Sequence, residues 1–438
     1  MSFPGRFPDS TATLSQWLAW QETLHPNAID LDLDRLRRTL DRLQWRRPAC
    51  PVITVAGTNG KGSSVALTSR ILGAAGYRVG TFTSPHLLRY NERITIDGRE
   101  VSDASLIAAF ERIDAARDTD TLTFFEFNTL AALLVFETAG LEAIVLEVGM
   151  GGRLDAVNIV DADVAIITSV ALDHCDWLGT DVEAIGREKA GILRAGRPAI
   201  FGSRNMPDSV ATAARELGSD LRRLGRDFDW QPDSSGWEWR GREHRHEGLP
   251  VPALAGGIQF DNAATVLAAL ESIAVKLPVQ RAAVEDGLRT VRLPGRFQVV
   301  PGAVEWILDV AHNPAAAVTL AQQLAARVHR ERTIAVCGIL GDKDIEGIAA
   351  QVRDCFDAWI VVGLGSARAL GVDTLAERLQ AAGARNVSVA ADVAAGCRAA
   401  SAAAVAGDRI VVFGSFLTVG PALDWLQSHG RGFALRFA

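Results

Sequence analysis

This sequence of 438 residues lacks long apolar runs and an excess of basic residues. No stretch of about 18 consecutive apolar residues occurs, so the sequence predicts no membrane-spanning helix. Lys and Arg number 45 against 52 Asp and Glu, which leaves a formal charge of −7 and no basic face for a nucleic acid backbone. Neither a membrane nor a nucleic acid is therefore expected as the main partner.

The sequence also lacks paired cysteines and an apolar leader. Its five cysteines are scattered and none falls in a Cys-x-x-Cys pair, which excludes a disulfide framework and a zinc knuckle. Prolines and charged residues interrupt residues 1–20, where a secretory signal would carry an unbroken apolar core. We expect a protein of the reducing cytoplasm.

Short Val/Ile-rich runs alternate with Ala-rich stretches from Val52 onward, a pattern typical of parallel strands covered by helices. The length itself predicts two or three domains. The predicted strands of the first half are residues 52–56, 143–148 and 164–169. The predicted helices there are residues 63–75, 102–117, 129–139, 182–192, 262–273 and 279–289. Residues 223–252 are polar and rich in tryptophan, and they predict a β-hairpin that turns near Arg240 and Gly241.

A second series of strands and helices follows Pro294. Its predicted strands are residues 304–309, 333–337, 359–362, 387–389 and 409–413, and residues 390–406 are predicted to be helical. We place the domain boundary at Pro294. The predicted fold class is α/β: a doubly wound parallel sheet domain of the P-loop type over residues 1–294, then a smaller Rossmann-like domain over residues 295–438.

A glycine-rich turn, GTNGKGSS at residues 57–64, joins the first predicted strand to a helix. This order lets bare backbone N–H groups and the helix dipole face phosphates, with Lys61 reaching the outer ones. The strict P-loop pattern is not met, because Val55 stands at its first glycine and Gly62 at its hydroxyl position. A simple tight turn is the alternative. The residues predicted to bind a nucleotide here are Thr58, Asn59, Gly60, Lys61, Gly62 and Ser63.

This shifted loop resembles that of the Mur ligase superfamily, and seven further motifs resemble the dihydrofolate synthase/folylpolyglutamate synthase family within it. They occur in the order of that family and span much of the chain. The motifs are TSPHL at 83–87, LEVGMGGRLD at 146–155, LDH at 172–174, GREKAG at 186–191, LPGRF at 293–297, DVAHNP at 309–314 and DKD at 342–344.

A magnesium site is implied by the resemblance. Glu147 ends a predicted strand, at the sheet edge where α/β proteins bind ligands, and magnesium prefers oxygen donors. By resemblance Ser84, Glu147 and His174 contact the metal, and Lys189 is carbamylated into a carboxylate-like donor. A solvated loop carboxylate and a surface lysine are the plainer alternatives. Zinc is not expected, since His174 has no partner at zinc spacing.

An acceptor pocket is implied around LTFFEF at residues 122–127, which without the resemblance would be core aromatics before a helix. Flat, aromatic, anionic acceptors need ring surface and a few placed polar groups. The residues that the resemblance assigns to dihydropteroate are Ile29, Asp30, Leu31, Thr123, Phe124, Phe125, Glu126, Leu154, Asp155 and Ala156. Phe125 departs from the acidic residue often found in bacterial members.

The second half is expected to complete the nucleotide site. By resemblance Asn262, Arg296 and Asp309 contact ATP, and His312 faces the cleft with a catalytic role. Arg296 sits at the predicted boundary, where an ordinary linker arginine is the alternative. The chain has Leu417 where the family commonly shows a histidine.

The resemblance implies an ATP-dependent ligase that joins L-glutamate to dihydropteroate and to folylpolyglutamates through an acyl phosphate, with ATP and magnesium as cofactors. Lys61, Lys189 and His312 are its expected catalytic residues, and a monomer is expected. The alternatives are a monofunctional folylpolyglutamate synthase, another Mur-type amide ligase, or a nucleotide-dependent switch or binding module. The sequence has no recognisable guanine-reading motif, which disfavours a switch.

Overall fold

Two mainly parallel sheets, one in each half of the chain, form the framework. The computed structural model describes residues 11–327 and 331–429. Its larger sheet has eight strands and its smaller sheet has six, with a separate three-stranded sheet between them in sequence. No helix in the described ranges combines the length and the apolar composition that crossing a bilayer requires.

The first sheet runs in the order β4-β3-β2-β5-β1-β6-β7-β8. Its strands are β1 (Val52–Ala56), β2 (Val79–Phe82), β3 (Ile94–Ile96), β4 (Arg99–Glu100), β5 (Ala143–Glu147), β6 (Val164–Ile167), β7 (Pro198–Phe201) and β8 (Asp220–Arg223). Every residue of β1 is buried, as a strand covered by helices on both faces requires. β1 lies between β5 and β6, and all three are parallel. The antiparallel strands β3 and β4 at one edge were not predicted.

Helices cover both faces of this sheet. They are α1 (Leu14–Leu24), α2 (Asp34–Leu43), α3 (Lys61–Ala74), α4 (Asp103–Arg117), α5 (Phe124–Thr138), α6 (Cys175–Leu178), α7 (Val182–Ala190), α8 (Asp208–Leu217), α9 (Ile258–Ser272) and α10 (Arg281–Thr290). One apolar core holds Trp17, Phe110 and Phe127 from α1, α4 and α5. A second core packs α3, α9 and α10 on the other face.

The start of α5 corrects the sequence prediction of a helix from residue 129. The helix begins at Phe124, because the Thr123 hydroxyl accepts a hydrogen bond from the backbone of Glu126 and the Glu126 carboxylate accepts one from the backbone of Thr123. This reciprocal capping box stabilises the first turn. The aromatic residues of the predicted acceptor pocket are therefore held on a helix end and not on a loop.

The predicted hairpin is confirmed and has a third strand. Its strands are β9 (Asp229–Asp233), β10 (Gly236–Arg240) and β11 (Arg245–Leu249). β10 pairs with both neighbours in antiparallel fashion. Trp237 and Trp239 are buried in the core beside α9, which explains the tryptophan content of this polar segment.

The second sheet runs in the order β12-β13-β17-β14-β15-β16. Its strands are β12 (Gln298–Val300), β13 (Glu305–Asp309), β14 (Thr333–Cys337), β15 (Ala358–Val362), β16 (Val387–Ala390) and β17 (Arg409–Phe413). Its helices are α11 (Pro314–Ala326), α12 (Ile345–Val352), α13 (Val372–Ala381), α14 (Val393–Ala403) and α15 (Phe416–His429). The five predicted strands are confirmed and parallel. β12 is an additional antiparallel edge strand.

Candidate active site

A cavity of about 590 Å³ lies where the carboxyl ends of β1 and β5 face the residues that follow β13. Both halves of the chain contribute to its wall. Every residue that the sequence analysis assigned to nucleotide, metal, acceptor or catalysis lines this cavity. Since the carboxyl edge of a parallel sheet is the usual ligand-binding edge, the arrangement suits several small ligands held together.

The phosphate loop depends on two glycines. Gly60 has a φ of +88°, and a Cβ placed on it would lie 2.6 Å from Oδ1 of Asn262. A Cβ on Gly57 would collide with the hydroxyl of Thr168. α3 begins at Lys61, within the glycine-rich turn and two residues earlier than predicted, so its free N–H groups and positive dipole end face the cavity.

The ammonium of Lys61 lies over the same loop. Its Nζ donates to the carbonyl oxygens of Gly57, at 2.9 Å, and of Thr58, at 3.2 Å. Burial lowers the pKa of Lys61, while the charges of Glu147 and Asp173 act in the opposite direction. Lys61 therefore lies at the phosphate loop, close enough to the Glu147 carboxylate for the two groups to interact.

Glu147 and Ser84 contact each other in the cavity, and His174 lines the same cavity. Glu147 ends β5 with a buried side chain, and its Oε2 accepts a hydrogen bond from the backbone N–H of Ser84 at 3.2 Å. Burial raises the pKa of Glu147, and Lys61 opposes this shift. Burial lowers the pKa of His174 to about 4, which leaves its imidazole neutral near neutral pH.

These side chains fit a hard cation with few protein ligands. Within the described residues, no three His, Cys, Asp or Glu side chains form a metal-binding group. A cation here would take one carboxylate, one hydroxyl and one imidazole, with phosphate oxygens and water completing its shell. The oxygen donors of this set are typical of magnesium, which commonly uses one or two protein carboxylates together with substrate phosphates, whereas the imidazole is a less usual ligand for it.

Lys189 is a buried lysine in the last turn of α7. It is 4% exposed, and no partner of its Nζ is found in the described part of the chain. Burial, and after it the charge of Lys61, lowers the pKa of Lys189 to about 7. A large share of its amine is therefore neutral near neutral pH, and only the neutral amine reacts with carbon dioxide.

The predicted acceptor residues form one wall of the cavity, braced by an arginine that the sequence did not indicate. Arg35 donates through Nε to Glu126 at 2.9 Å and through Nη1 to Asp30 at 2.7 Å. It thereby ties the loop before α2 to the start of α5. The ring of Phe125 packs against Gly149, where a Cβ would lie 2.6 Å from the ring.

Arg296 and Asp309, from the second half of the chain, line the cavity together with the phosphate loop. The guanidinium of Arg296 lies 5.1 Å from the centroid of the Phe416 ring. A Cβ on Gly62 would be 3.7 Å from an Arg296 Nη atom and 3.8 Å from Oε1 of Glu147, so both charged groups approach the first turn of α3. Asp309 accepts backbone hydrogen bonds from Phe297 and Ala311, both at 2.8 Å, which fixes the entry to α11.

Asp173 joins the two halves, a role that the sequence analysis missed although the residue lies inside the LDH motif. It accepts hydrogen bonds from Nζ of Lys343 at 2.7 Å and from Nδ2 of Asn313 at 2.9 Å. Nε2 of His312 is 3.6 Å away. Burial acts to raise the pKa of Asp173, but His312 and Lys343 hold it well below its ordinary value. Asn313 also exchanges amide hydrogen bonds with Asn59 of the phosphate loop, at 3.1 Å.

Comparison with known proteins shows the family of the chain. The Mur ligase middle domain matches residues 55–220, and the Mur ligase glutamate ligase domain matches residues 295–416. Dihydrofolate synthase/folylpolyglutamate synthase of Escherichia coli (strain K12) is 43% identical over 427 residues, which cover 98% of this chain and 99% of the relative. The Haemophilus influenzae protein of the same name is 40% identical and covers 94% of this chain and 97% of itself.

Solved structures give the same result. E. coli FolC in complex with DHPP and ADP matches with a TM-score of 0.91 and 43% identity, over 96% of this chain and 99% of that one. A bifunctional folylpolyglutamate synthase/dihydrofolate synthase with Mn, AMPPNP and L-glutamate bound matches with a TM-score of 0.88 and 45% identity, over the same shares. The chain therefore belongs to the dihydrofolate synthase/folylpolyglutamate synthase family of Mur ligases.

Proposed function

We propose that this chain is an ATP-dependent ligase that joins L-glutamate to dihydropteroate, giving dihydrofolate, and adds further glutamates to folates. One observation carries the proposal: the phosphate loop, the metal-type donors and the aromatic acceptor wall share a single cavity with residues of the second half. The relatives' structures, with DHPP and ADP or with AMPPNP and L-glutamate, support the same substrates.

ATP would lie along the phosphate loop. Residues 57–63 surround the phosphates, and Lys61 moves from the loop carbonyls onto the outer phosphate oxygens. Asn262 closes the loop from α9, and Arg296 and Asp309 approach from the second half. Two positive side chains, Lys61 and Arg296, thereby offset the negative charge that the phosphates bring.

Ser84, Glu147, His174 and carbamylated Lys189 would hold magnesium. When bound, the metal neutralises phosphate charge and makes the γ-phosphorus more open to attack. The carbamate forms when the neutral Lys189 amine adds to carbon dioxide and loses one proton. The support for this modification is that Lys189 is 4% exposed and that its Nζ finds no partner in the described residues.

The reaction needs no protein nucleophile. A carboxylate oxygen of the acceptor attacks the γ-phosphorus of ATP, and ADP leaves, which gives an acyl phosphate. The amine of glutamate then attacks the acyl carbon, loses a proton, and phosphate departs as the amide forms. His312 lines the cavity from the second half of the chain, with Nδ1 2.7 Å from the carbonyl oxygen of Val310 and Nε2 3.6 Å from Oδ2 of Asp173. We assign it to stabilising the charge that moves across the acyl carbon.

The proposal includes a domain boundary at Pro294 and a cytoplasmic monomer. The glutamate ligase match begins at residue 295, and the first strand of the second sheet begins at Gln298. The five cysteines are free thiols, as is usual in a reducing compartment.

Phosphate release tests the function. Purified protein receives Mg-ATP and glutamate with either dihydropteroate or a reduced folate, and Lys61→Ala is compared with Lys276→Ala, an exposed lysine paired with Asp163 outside the cavity. We expect release that requires glutamate and either acceptor, lost in Lys61→Ala and kept in Lys276→Ala. Release with reduced folate alone would indicate a monofunctional synthase. Release that ignores glutamate would defeat the ligase proposal.

A further inference from the structure

Arg93 is a buried arginine of the cavity wall that neither the motifs nor the proposed site includes. It ends the short 3-10 helix Tyr90–Arg93 and is 8% exposed. Its Nε donates to Nδ1 of His86 at 2.8 Å, and its guanidinium lies 5.8 Å and 5.6 Å from the ring centroids of Tyr90 and Phe124. No carboxylate of the described residues lies within 4.0 Å of its guanidinium nitrogens.

The lack of a carboxylate partner distinguishes Arg93 from the other buried arginines of this half. Arg117 also lies over an aromatic ring, that of Trp20, but its Nε is 2.8 Å from Asp114. Arg35 pairs with Glu126 at 2.9 Å. Burying a charged side chain destabilises the folded protein unless a group of opposite charge pairs with it. Since Arg93 lines the cavity, the missing anion can be supplied by a ligand.

The position of Arg93 indicates which anion this is. On one side its guanidinium lies over Phe124, the first residue of α5 and part of the proposed acceptor wall. On the other side, the backbone carbonyl of Arg93 accepts a hydrogen bond from the backbone N–H of Thr83 at 2.8 Å, next to Ser84. The guanidinium of Arg93 also interacts electrostatically with Glu147. Arg93 therefore stands between the ring surface and the phosphate end of the cavity.

We propose that Arg93 binds the carboxylate of the acceptor and directs it toward the γ-phosphate of ATP. This inference rests on the proposed function and adds to it the residue that recognises the reacting group. A flat acceptor with its rings along Phe124 presents its carboxylate at the far end of the molecule. A guanidinium matches a carboxylate with two parallel hydrogen bonds, which fixes both its place and its orientation.

Binding calorimetry with dihydropteroate and its neutral carboxamide tests the inference. The variants are Arg93→Gln and Arg93→Lys, with Arg70→Gln as a control, since Arg70 forms an exposed pair with Asp286 and does not line the cavity. We expect Arg93→Gln to weaken binding of the acid about 10- to 100-fold and that of the amide less than about 2-fold. Arg93→Lys keeps the charge without the paired geometry, so its loss is expected to be intermediate. The affinity for a non-hydrolysable ATP analogue should not change.

Three results would overturn the inference, and they differ from a failure of the function. Equal losses for acid and amide would show that Arg93 only supports the wall, and a change confined to the ATP analogue would assign it to the nucleotide. An undiminished preference for the acid in Arg93→Gln would exclude the contact. If Arg93→Gln does not fold, Arg93→Lys decides by the same comparison. Wild-type protein that binds neither acceptor would defeat the proposed function itself.

Discussion

Asp173 is expected to hold the two halves of the chain in their active arrangement. It follows β6, while its partners His312, Asn313 and Lys343 all follow Pro294. Asp173→Asn keeps the size of the side chain and removes its charge. The ammonium of Lys343 would then be buried beside a neutral amide, and the cleft that aligns both substrates would be held less firmly.

The size of the effect follows from the burial of the ion pair. Nζ of Lys343 is 2.7 Å from Oδ1 of Asp173, and the two side chains are 6% and 8% exposed. Removing one partner of a buried pair costs about 3–5 kcal/mol, and a neighbouring wet cavity lowers this to about 2–3 kcal/mol. Since about 1.4 kcal/mol is a factor of ten, kcat/KM for glutamate should fall about 30- to 150-fold.

A double-mutant cycle on kcat/KM separates this pair from general damage. Asp173→Asn, Lys343→Met and the double variant are compared. We expect a coupling energy of at least about 1.5 kcal/mol, because either single change already breaks the ion pair and the second change then costs little more. Glu346→Gln is the control, since Glu346 pairs with Arg378 on the exposed surface of the second half. Its effect should stay below about 1 kcal/mol. Additive losses, with coupling under about 0.5 kcal/mol, would refute the reasoning.

Four further predictions concern the loop, the metal residues and a half-buried histidine. Gly60→Ala should weaken binding of an ATP analogue more than about tenfold by calorimetry, because the φ of +88° is strained for alanine and its Cβ meets Asn262; unchanged affinity would contradict this. Glu147→Gln should raise the half-saturating magnesium concentration of phosphate release about tenfold or more; an unaltered titration would remove Glu147 from the metal. Protein equilibrated with ¹³C-labelled carbon dioxide should show a carbamate NMR signal that Lys189→Ala lacks; a signal that persists would place the carbamate elsewhere. Burial lowers the pKa of His86 to about 4, below the value of about 6.5 in the unfolded chain, so the free energy of unfolding should decrease as the pH falls from about 6.5 to about 4. His86→Asn should make this decrease smaller when it is measured by urea unfolding. An equal decrease in the variant would exclude His86 as the cause.

Local sequence patterns were enough to predict the phosphate loop and most central strands. β1 consists of five apolar or β-branched residues that are all buried and are followed by a glycine-rich loop, and a short run of this kind favours a buried strand over other secondary structures. The GTNGKGSS turn indicated anion binding because all the groups required, the exposed backbone N–H groups and the Lys61 ammonium, lie within a few residues of one another. The seven motifs, through their family resemblance, assigned residues from both halves that line one cavity in the structure.

Side chains that work through distant partners were not predictable in this way. Arg35 and Glu126 are 91 positions apart in sequence, and Asp173 and Lys343 are 170 apart. Motifs marked Glu126, Asp173 and Lys343 as family positions, but no local pattern showed which side chains they would pair with, because these pairs form only when the chain folds. Arg93 was missed for the same reason: it is distinguished only by its folded surroundings, in which no carboxylate of the described residues lies within 4.0 Å of its guanidinium.

Transfer of ¹⁸O from the acceptor to phosphate tests the central claim most directly. Dihydropteroate with ¹⁸O in its carboxylate is turned over with ATP, glutamate and magnesium, and the released phosphate is analysed by mass. If the carboxylate attacks the γ-phosphorus, each phosphate released carries one ¹⁸O from the acceptor and the new amide retains the other. Phosphate without ¹⁸O would contradict the acyl-phosphate ligase.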